Sequence, residues 1–453
     1  MKNTHSSITN TLIPNSVAAL IERFSQVRAL TLALTQPLSD EDMSLQSMPD
    51  ASPTKWHLAH TSWFFETFLL ARWENNYQPY HADFKILFNS YYNGVGAKHP
   101  RAERGLISRP TVATVLAFRD NITARMNALL KSPQLSHEAI KLAWLGCHHE
   151  EQHQELLLTD IKHLLSKNPA KPAYQPRWPL VGVTAPRTKW ISYVGGLVKI
   201  GCDDAATAAT DFAFDNESPR HKVWLDPFEI ASHPVTYGQY ATFVEAGGYT
   251  TPDWWLSLGW DWVEANQIVA PMYWQKHGTH WSTFTLHGMV PIEVNTPVCH
   301  LNYFEADAFA RWLSVTSATH IGARLPTEAE WEYVATEANN APHGSTANAN
   351  LLSSVMAQNA LHPLAPREQD NTDFVHQLYG DVWEWTQSSY APYPRFQAAA
   401  GAVGEYNAKF MCNQYVLRGG SCVTPRTHIR ATYRNFFPPE TRWQFSGLRL
   451  ARG

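Results

Sequence analysis

The sequence predicts an α + (α+β) chain in two parts, a four-helix bundle followed by an irregular α+β domain with many loops. Three observations predict it. Up to about Ser166, apolar residues recur every three or four positions. From Lys167 to Lys189, a run containing Pro169, Pro172, Pro176, Pro179 and Pro186 forbids a helix and reads as an extended linker. Beyond it, short β-like runs alternate with Gly, Pro, Asn and Asp clusters. At 453 residues the chain is also too long for one ordinary core. The expected division is a bundle over 1–166, a linker over 167–190 and a second domain over 191–453.

Asn15 or Ser16 can cap a first helix whose Leu20, Phe24, Val27, Leu30 and Leu34 form one stripe, and Pro37 ends it. Ser52-Pro53 reads as N-cap and first helical residue, opening a second helix with Trp56, His60, Trp63, Phe64 and Phe68. A long non-periodic segment, about Asn76 to Ser108, follows. Its richness in Tyr, Phe, Gly and Arg marks it as a functional loop. Arg109-Pro110 precedes a third helix with Val115, Phe118, Ile122, Met126 and Leu129. Ser136 caps a fourth, with Leu142, Leu145, His149, His153, Leu156 and Ile161. In the second half, helices stand out at about Tyr303–Thr316 and Thr327–Ala335, and β-like runs at Leu197–Ile200 and Lys222–Leu225.

Composition excludes several classes. With 44% hydrophobic and 17% charged residues this is a globular chain, and a net charge of −4 argues against a nucleic-acid partner. Cys147, Cys202, Cys299, Cys412 and Cys422 are odd in number, widely spaced and without a CxxC, which excludes a disulfide scaffold and a thiolate zinc site. No apolar signal core opens the chain and no run approaches the ~18 apolar residues of a membrane span. The expectation is a reduced, cytoplasmic protein with no membrane partner. Its 18 Trp, 18 Tyr and 20 Phe suit a loop-rich fold and a small-molecule pocket.

The chemistry is concentrated in His149-Glu-Glu-Gln-His153. Imidazoles at i and i+4 share one helix face about 5–6 Å apart at Cβ, near enough to grip one ion. Both continue the core stripe of the fourth helix, so both are expected to face the bundle interior. The third ligand is expected from the second helix, where His60 shares the stripe of Trp56, Trp63 and Phe64 more consistently than His57 does. His148 points about 100° away from His149 and reads as structural. Glu150 completes the HExxH pattern of zinc peptidases, but the next histidine, His163, lies too far along the same helix to complete that site. Three imidazoles without a carboxylate suit zinc, copper or ferrous iron, and spacing alone leaves the choice open.

Several segments together resemble the ergothioneine-pathway sulfoxide synthases, or hercynine oxygenases. In the first half these are Ser52-Pro-Thr-Lys-Trp-His-Leu-Ala-His60, Phe88-Asn-Ser-Tyr-Tyr92, His99-Pro-Arg-Ala-Glu-Arg-Gly105 and His149-Glu-Glu-Gln-His153. In the second they are Arg324-Leu-Pro-Thr-Glu-Ala-Glu-Trp331, Gly380-Asp-Val-Trp-Glu-Trp385, Leu417-Arg-Gly-Gly-Ser421 and Gly447-Leu-Arg-Leu-Ala-Arg452. The resemblance implies a DinB-like bundle joined to a C-type-lectin-like domain of the formylglycine-generating-enzyme, or sulfatase-modifying-factor, type. It implies non-haem Fe(II) held by His60, His149 and His153, and a reaction in which O₂ joins a thiol sulfur to C2 of the hercynine imidazole as a sulfoxide.

The same resemblance assigns further roles. Tyr91 and Tyr92 match the family's catalytic tyrosine pair, a proton donor beside the reacting oxygen. Gln152 matches a position that contacts the hercynine imidazole. Asn435-Phe436-Phe437 matches the segment lining the betaine end, where aromatic faces attract a quaternary ammonium. Arg101 and Arg104 match positions that hold the thiol substrate's carboxylate. Members that use γ-glutamylcysteine carry an acidic residue where Phe437 stands here, which points to free cysteine as the donor. A calcium ion in the second domain is also implied as an option, with no ligands assigned. Trp383, Trp385, Arg418 and Arg449 read as scaffold. The competing readings are a selenoneine synthase with a selenosugar donor, a zinc-dependent hydrolase or transferase of the bundle type, and a non-catalytic binding module.

Overall fold

The computed structural model describes residues 16–176, 188–203, 212–339, 346, 349–366 and 374–453. Four long helices form the first half, as the periodicity requires: α1 Val17–Ala33, α2 Thr54–Phe65, α3 Val112–Leu130 and α4 His137–Lys167. Ser16, Thr111 and Ser136 cap α1, α3 and α4, each hydroxyl accepting from the backbone N–H three residues on. The expected start of α2 is one residue early. Pro53 is its N-cap, and Ser52 instead donates its N–H to Asp160 at 2.8 Å and accepts from Arg104 at 2.8 Å. α2 widens into a π-helical turn at Glu66–Leu70, a distortion common beside functional sites.

α4 packs on both α1 and α2, and α2 on α3. The core is built from Leu20, Phe24, Trp63, Phe65, Phe118, Ile122, Leu157 and Ile161, all buried. Gly146 permits the closest approach, since a Cβ there would stand 2.5 Å from the Phe65 ring. Glu150, the acidic residue of the HExxH pattern, is also core. Arg28 donates to it at 3.0 Å and Thr31 at 2.7 Å, with Arg119 on its other side. Burial pushes its carboxyl up, but Arg119 and Arg28 overcome this and hold it at about 2. A carboxylate so engaged cannot serve as a peptidase's general base.

The second half is built of small sheets and short helices. One sheet runs in the order β10-β9-β8-β11, from Asn435–Phe437, Tyr415–Arg418, Trp383–Ser389 and Ser446–Gly447. Another pairs β1 Trp190–Tyr193, β4 Phe228–Ala231 and β12 Ala451–Arg452. β2 Gly196–Ile200 and β3 His221–Leu225 form an antiparallel pair near the expected runs, and β5 Trp274–His277, β6 His280–Thr285 and β7 Gly288–Pro291 form a meander. The helices are α5 Tyr237–Glu245, α6 Ser257–Asn266, α7 Tyr303–Thr316 and α8 Glu328–Asn339. The sequence reading found α7 and α8 and missed α5 and α6.

Buried ion pairs hold this domain together. Arg449 is fully buried on Glu384, whose carboxylate also accepts from Trp331 at 2.7 Å. Arg418 joins Glu328 and Glu332, both at 2.7 Å, and Arg434 also reaches Glu328. Arg418 and Arg449 are two of the positions read as scaffold from the sequence; Arg434 and the glutamates were not among them.

The halves are tightly joined. On α4, Glu155 accepts from Trp383 at 2.7 Å, Ser421 at 2.8 Å and Thr424 at 2.7 Å. Pro179 and Pro186 lie outside the described residues. At the described start of the linker, Tyr174 is pinned to both halves, its hydroxyl donating to the Leu34 carbonyl and its N–H to Leu286. Among the described residues, no helix is long and apolar enough to cross a membrane.

Candidate metal centre

His60, His149 and His153 each present a ring nitrogen within 4.8 Å of the other two. The helix period does this: residues 149 and 153 stand one turn apart on the inner face of α4, and α2 brings His60 against them. His60 Nε2 and His149 Nε2 are 3.2 Å apart. Donors on adjacent positions of one ion, each bonded at about 2.1 Å, stand about 3 Å apart, so the set fits a metal. Burial keeps the imidazoles neutral, the form that binds metal. His149 is held down at about 3, and burial together with the nearby His149 pushes His60 and His153 well below the ordinary range.

Aromatic faces fix the rings. Trp56 stacks on His60 at 4.5 Å and Trp63 on its other side at 5.2 Å, while Phe64 stacks on His149 at 4.4 Å. His60 donates its Nδ1–H to the Phe88 carbonyl at 2.6 Å, which leaves its Nε2 lone pair free. His149 Nδ1 is buried with no partner among the described residues.

Tyr91 and Tyr92 come from the long loop, stacked at 4.6 Å. Tyr92 is fully buried against Trp63, Phe64 and Phe68, and its hydroxyl makes no well-formed hydrogen bond among the described residues. Burial raises both phenols, with Tyr91 and Tyr406 adding to the rise at Tyr92. They are therefore protonated donors, not phenolates. The loop is fastened to the second domain, because Glu405 accepts from the N–H groups of Asn93 at 2.9 Å and Gly94 at 2.6 Å.

That fastening brings in residues the sequence reading missed. Tyr406 has its ring 5.8 Å from His149 and donates its hydroxyl to Gln152 Oε1. Gln152 Nε2 donates to the Tyr433 hydroxyl at 2.7 Å, and that hydroxyl lies 3.0 Å from His428 Nε2. The Gln152 amide is thus oriented by two phenols of the second domain. Tyr433 stands two residues before Asn435, a proximity that could have suggested it. Tyr406 sits after a 3₁₀ turn, Ala402–Glu405, in a stretch with no periodic signal.

Phe436 stacks on Tyr390 at 4.0 Å and meets Phe410, which in turn packs on Tyr91 at 5.1 Å. The Asn-Phe-Phe segment and the tyrosine loop therefore share one aromatic run. Asn435 Oδ1 accepts from the Phe436 N–H at 2.9 Å, and Phe437 pairs with Tyr415 in β10–β9. The arginines separate. Arg101 is exposed and donates to the Asp50 carbonyl. Arg104 is buried, with its guanidinium 3.4 Å over Trp56, and no described carboxylate lies within ion-pair distance. Burial, then Arg101, pushes Arg104 down to about 9.

A second cluster, His148, Glu151 and His428, also gathers ligand-type atoms. There Arg23 donates to Glu151 Oε2 at 2.7 Å and Thr427 to Oε1 at 2.7 Å. A guanidinium already supplies the positive charge, so this group reads as an interdomain contact. His148 Nδ1 lies 3.0 Å from His428 Nδ1 in that contact, off the inner face that carries His149, and His163 pairs with Ser47 at 2.7 Å.

Residues 182–453 match the sulfatase-modifying factor enzyme 1-like domain, and residues 23–157 match the DinB superfamily. The chain is 30% identical to a hercynine oxygenase of Mycolicibacterium thermoresistibile, over 98% of this chain and 96% of that one. It is 31% identical to a hercynine oxygenase of Mycobacterium tuberculosis, over 94% and 97%. Ergothioneine biosynthesis protein 1 of Schizosaccharomyces pombe is 26% identical over 60% of this chain and 32% of its own length.

Proposed function

The chain belongs to the hercynine oxygenase family, and on that premise we propose that it is an Fe(II)- and O₂-dependent sulfoxide synthase of ergothioneine biosynthesis, joining the sulfur of cysteine to C2 of the hercynine imidazole. The observation that carries this reading is the convergence of His60, His149 and His153 beneath phenols from both halves. The balance is closed. The ring C–H and the thiol S–H are lost, a C–S bond and an S–O bond form, and the second oxygen atom leaves as water. The two substrates supply all four electrons that O₂ requires.

Iron held by the three histidines would supply O₂ activation and a seat for the thiolate sulfur. The residues around it do the rest. Gln152, its amide set by Tyr406 and Tyr433, presents a remaining N–H or lone pair to the hercynine ring. Asn435 and the faces of Phe436 and Phe437 line the trimethylammonium end. Arg104, a buried cation with no carboxylate within ion-pair distance among the described residues, meets the carboxylate of cysteine, and Arg101 adds charge at the entrance. Tyr91, Tyr92 or Tyr406 delivers the proton that the reacting oxygen requires. Phe437 in place of an acid favours cysteine over γ-glutamylcysteine. A cytoplasmic, reducing compartment suits a free-thiol substrate. The test is oxygen uptake and product mass with Fe(II) and hercynine, with cysteine, γ-glutamylcysteine and a selenosugar in competition. A hercynine–cysteine sulfoxide is expected. Equal turnover with zinc in the absence of O₂ would remove the oxygenase reading.

A further inference from the structure

We propose that Asp160 and His57 are positioning residues for His153, forming a carboxylate–imidazole–imidazole relay whose free end is the metal-facing nitrogen. The proposal rests on the metal centre above and goes beyond its ligands. Asp160 Oδ2 lies 3.0 Å from His57 Nε2, and His57 Nδ1 lies 2.8 Å from His153 Nδ1. The same Oδ2 accepts the Ser52 N–H at 2.8 Å, which fixes the carboxylate at the start of α2. His57 and Asp160 are both buried.

Proton placement follows from the contacts. Asp160 Oδ2 accepts the Ser52 N–H, and the same oxygen faces His57 Nε2, which places the His57 proton on Nε2. A neutral imidazole of that tautomer shows a lone pair at Nδ1. The 2.8 Å contact then makes His153 Nδ1 the donor, which leaves the His153 Nε2 lone pair directed away from the relay.

The three ligands are therefore supported unequally. Among the described residues, His60 leans on a neutral carbonyl, His149 Nδ1 has no partner, and only His153 is backed, through His57, by a carboxylate. Outer partners of this kind set a ligand's tautomer and raise its basicity, and losing them typically costs about 10–100-fold in metal affinity. Residue 160 is seven positions after 153, two turns along the same face of α4, which lets one helix provide both ends of the relay.

The test compares the Co(II) and Fe(II) affinity of the metal-free protein with that of His57→Phe, His57→Gln and Asp160→Asn, read by titration and by the cobalt absorption spectrum, alongside the Tm of each metal-free form. Phe leaves the His153 Nδ1–H without an acceptor. Gln can accept from His153 and donate to Asp160. Asn keeps the shape and removes the charge. The expected result is a loss of about 10–100-fold in affinity for His57→Phe, a smaller loss with an altered cobalt spectrum for Asp160→Asn, and near-parental binding for His57→Gln. Should His57→Phe fail to fold, Asp160→Asn still decides. Unchanged affinity and spectrum in the folded variants would overturn the relay. Absence of binding by the parent protein would instead remove the metal centre itself.

Discussion

In the bundle, the metal-facing imidazoles stand on the inner faces of two helices, whereas the second domain reaches the same pocket with Tyr406, Tyr433 and His428, all outside its helices and strands. A helix converts spacing into geometry, so two helix faces are enough to bring the three histidines together. A loop has no such period. The second domain holds its contributions through buried ion pairs, with Arg418, Arg434 and Arg449 each anchored on a glutamate. Damage to the bundle face should therefore remove the metal and spare the fold. Damage to the second domain should either unfold it or leave the metal and alter the product.

The sharpest break in that contrast is His149→Ala. Metal affinity is expected to fall by more than about 100-fold, beyond the loss of any outer partner, and turnover to vanish, with circular dichroism unchanged. Full metal stoichiometry in this variant would erase the distinction. Next in size is Glu384→Ala, which strands Arg449 in the core. Losing one partner of a buried pair costs about 3–5 kcal/mol, visible as a lower denaturant midpoint. A midpoint within error of the parent would show that these pairs do not carry the domain.

Smaller effects separate the phenols. Tyr406→Phe removes one hydrogen bond to Gln152, worth about 0.5–1.5 kcal/mol, and leaves iron binding intact. It should slow sulfoxide formation. One of Tyr91→Phe and Tyr92→Phe should divert turnover towards dioxygenation of the thiol. Product ratios by mass spectrometry check all three, and an unchanged ratio throughout would exclude the phenols as donors.

On pH dependence, by contrast, the halves should agree. His149, His233 and His362 are held at about 3 by burial, against 6.5 when unfolded. Their folded pKa values are depressed, so the unfolded chain binds more protons below 6.5. The Tm of the metal-free protein should be full above that pH and fall as pH drops towards 3. Glu150, at about 2 against 4.5, adds a further loss below 4.5. A Tm that stayed flat from pH 7 to 4 would mean that these imidazoles are solvated.

The bundle was largely legible because its helices repeat apolar residues and three of the four carry a Ser or Thr cap. The His149/His153 pair could be read from spacing, and His60 from its place on the stripe. His57 illustrates the limit. As the weaker candidate ligand it was set aside, yet it backs His153, a role that depends on Asp160 two turns further along α4. Ser52 was read as a cap because it precedes a proline, but its hydroxyl and N–H serve Arg104 and Asp160 instead. α5 could have been found, since Thr236 and Gln239 form a capping box, but Gly238 interrupts its pattern. Tyr406 and His428 gave no sequence signal because their positions depend on contacts between the two halves.

The proposed function requires one redox-active ion on His60, His149 and His153 with positions open to substrate. Nitric oxide added to the anaerobic Fe(II)-loaded protein tests it most directly, as an O₂ surrogate seen by electron paramagnetic resonance. One iron–nitrosyl signal per chain is expected, perturbed by cysteine and absent from His60→Ala and His149→Ala. A signal that survived both substitutions, or ignored cysteine, would contradict it.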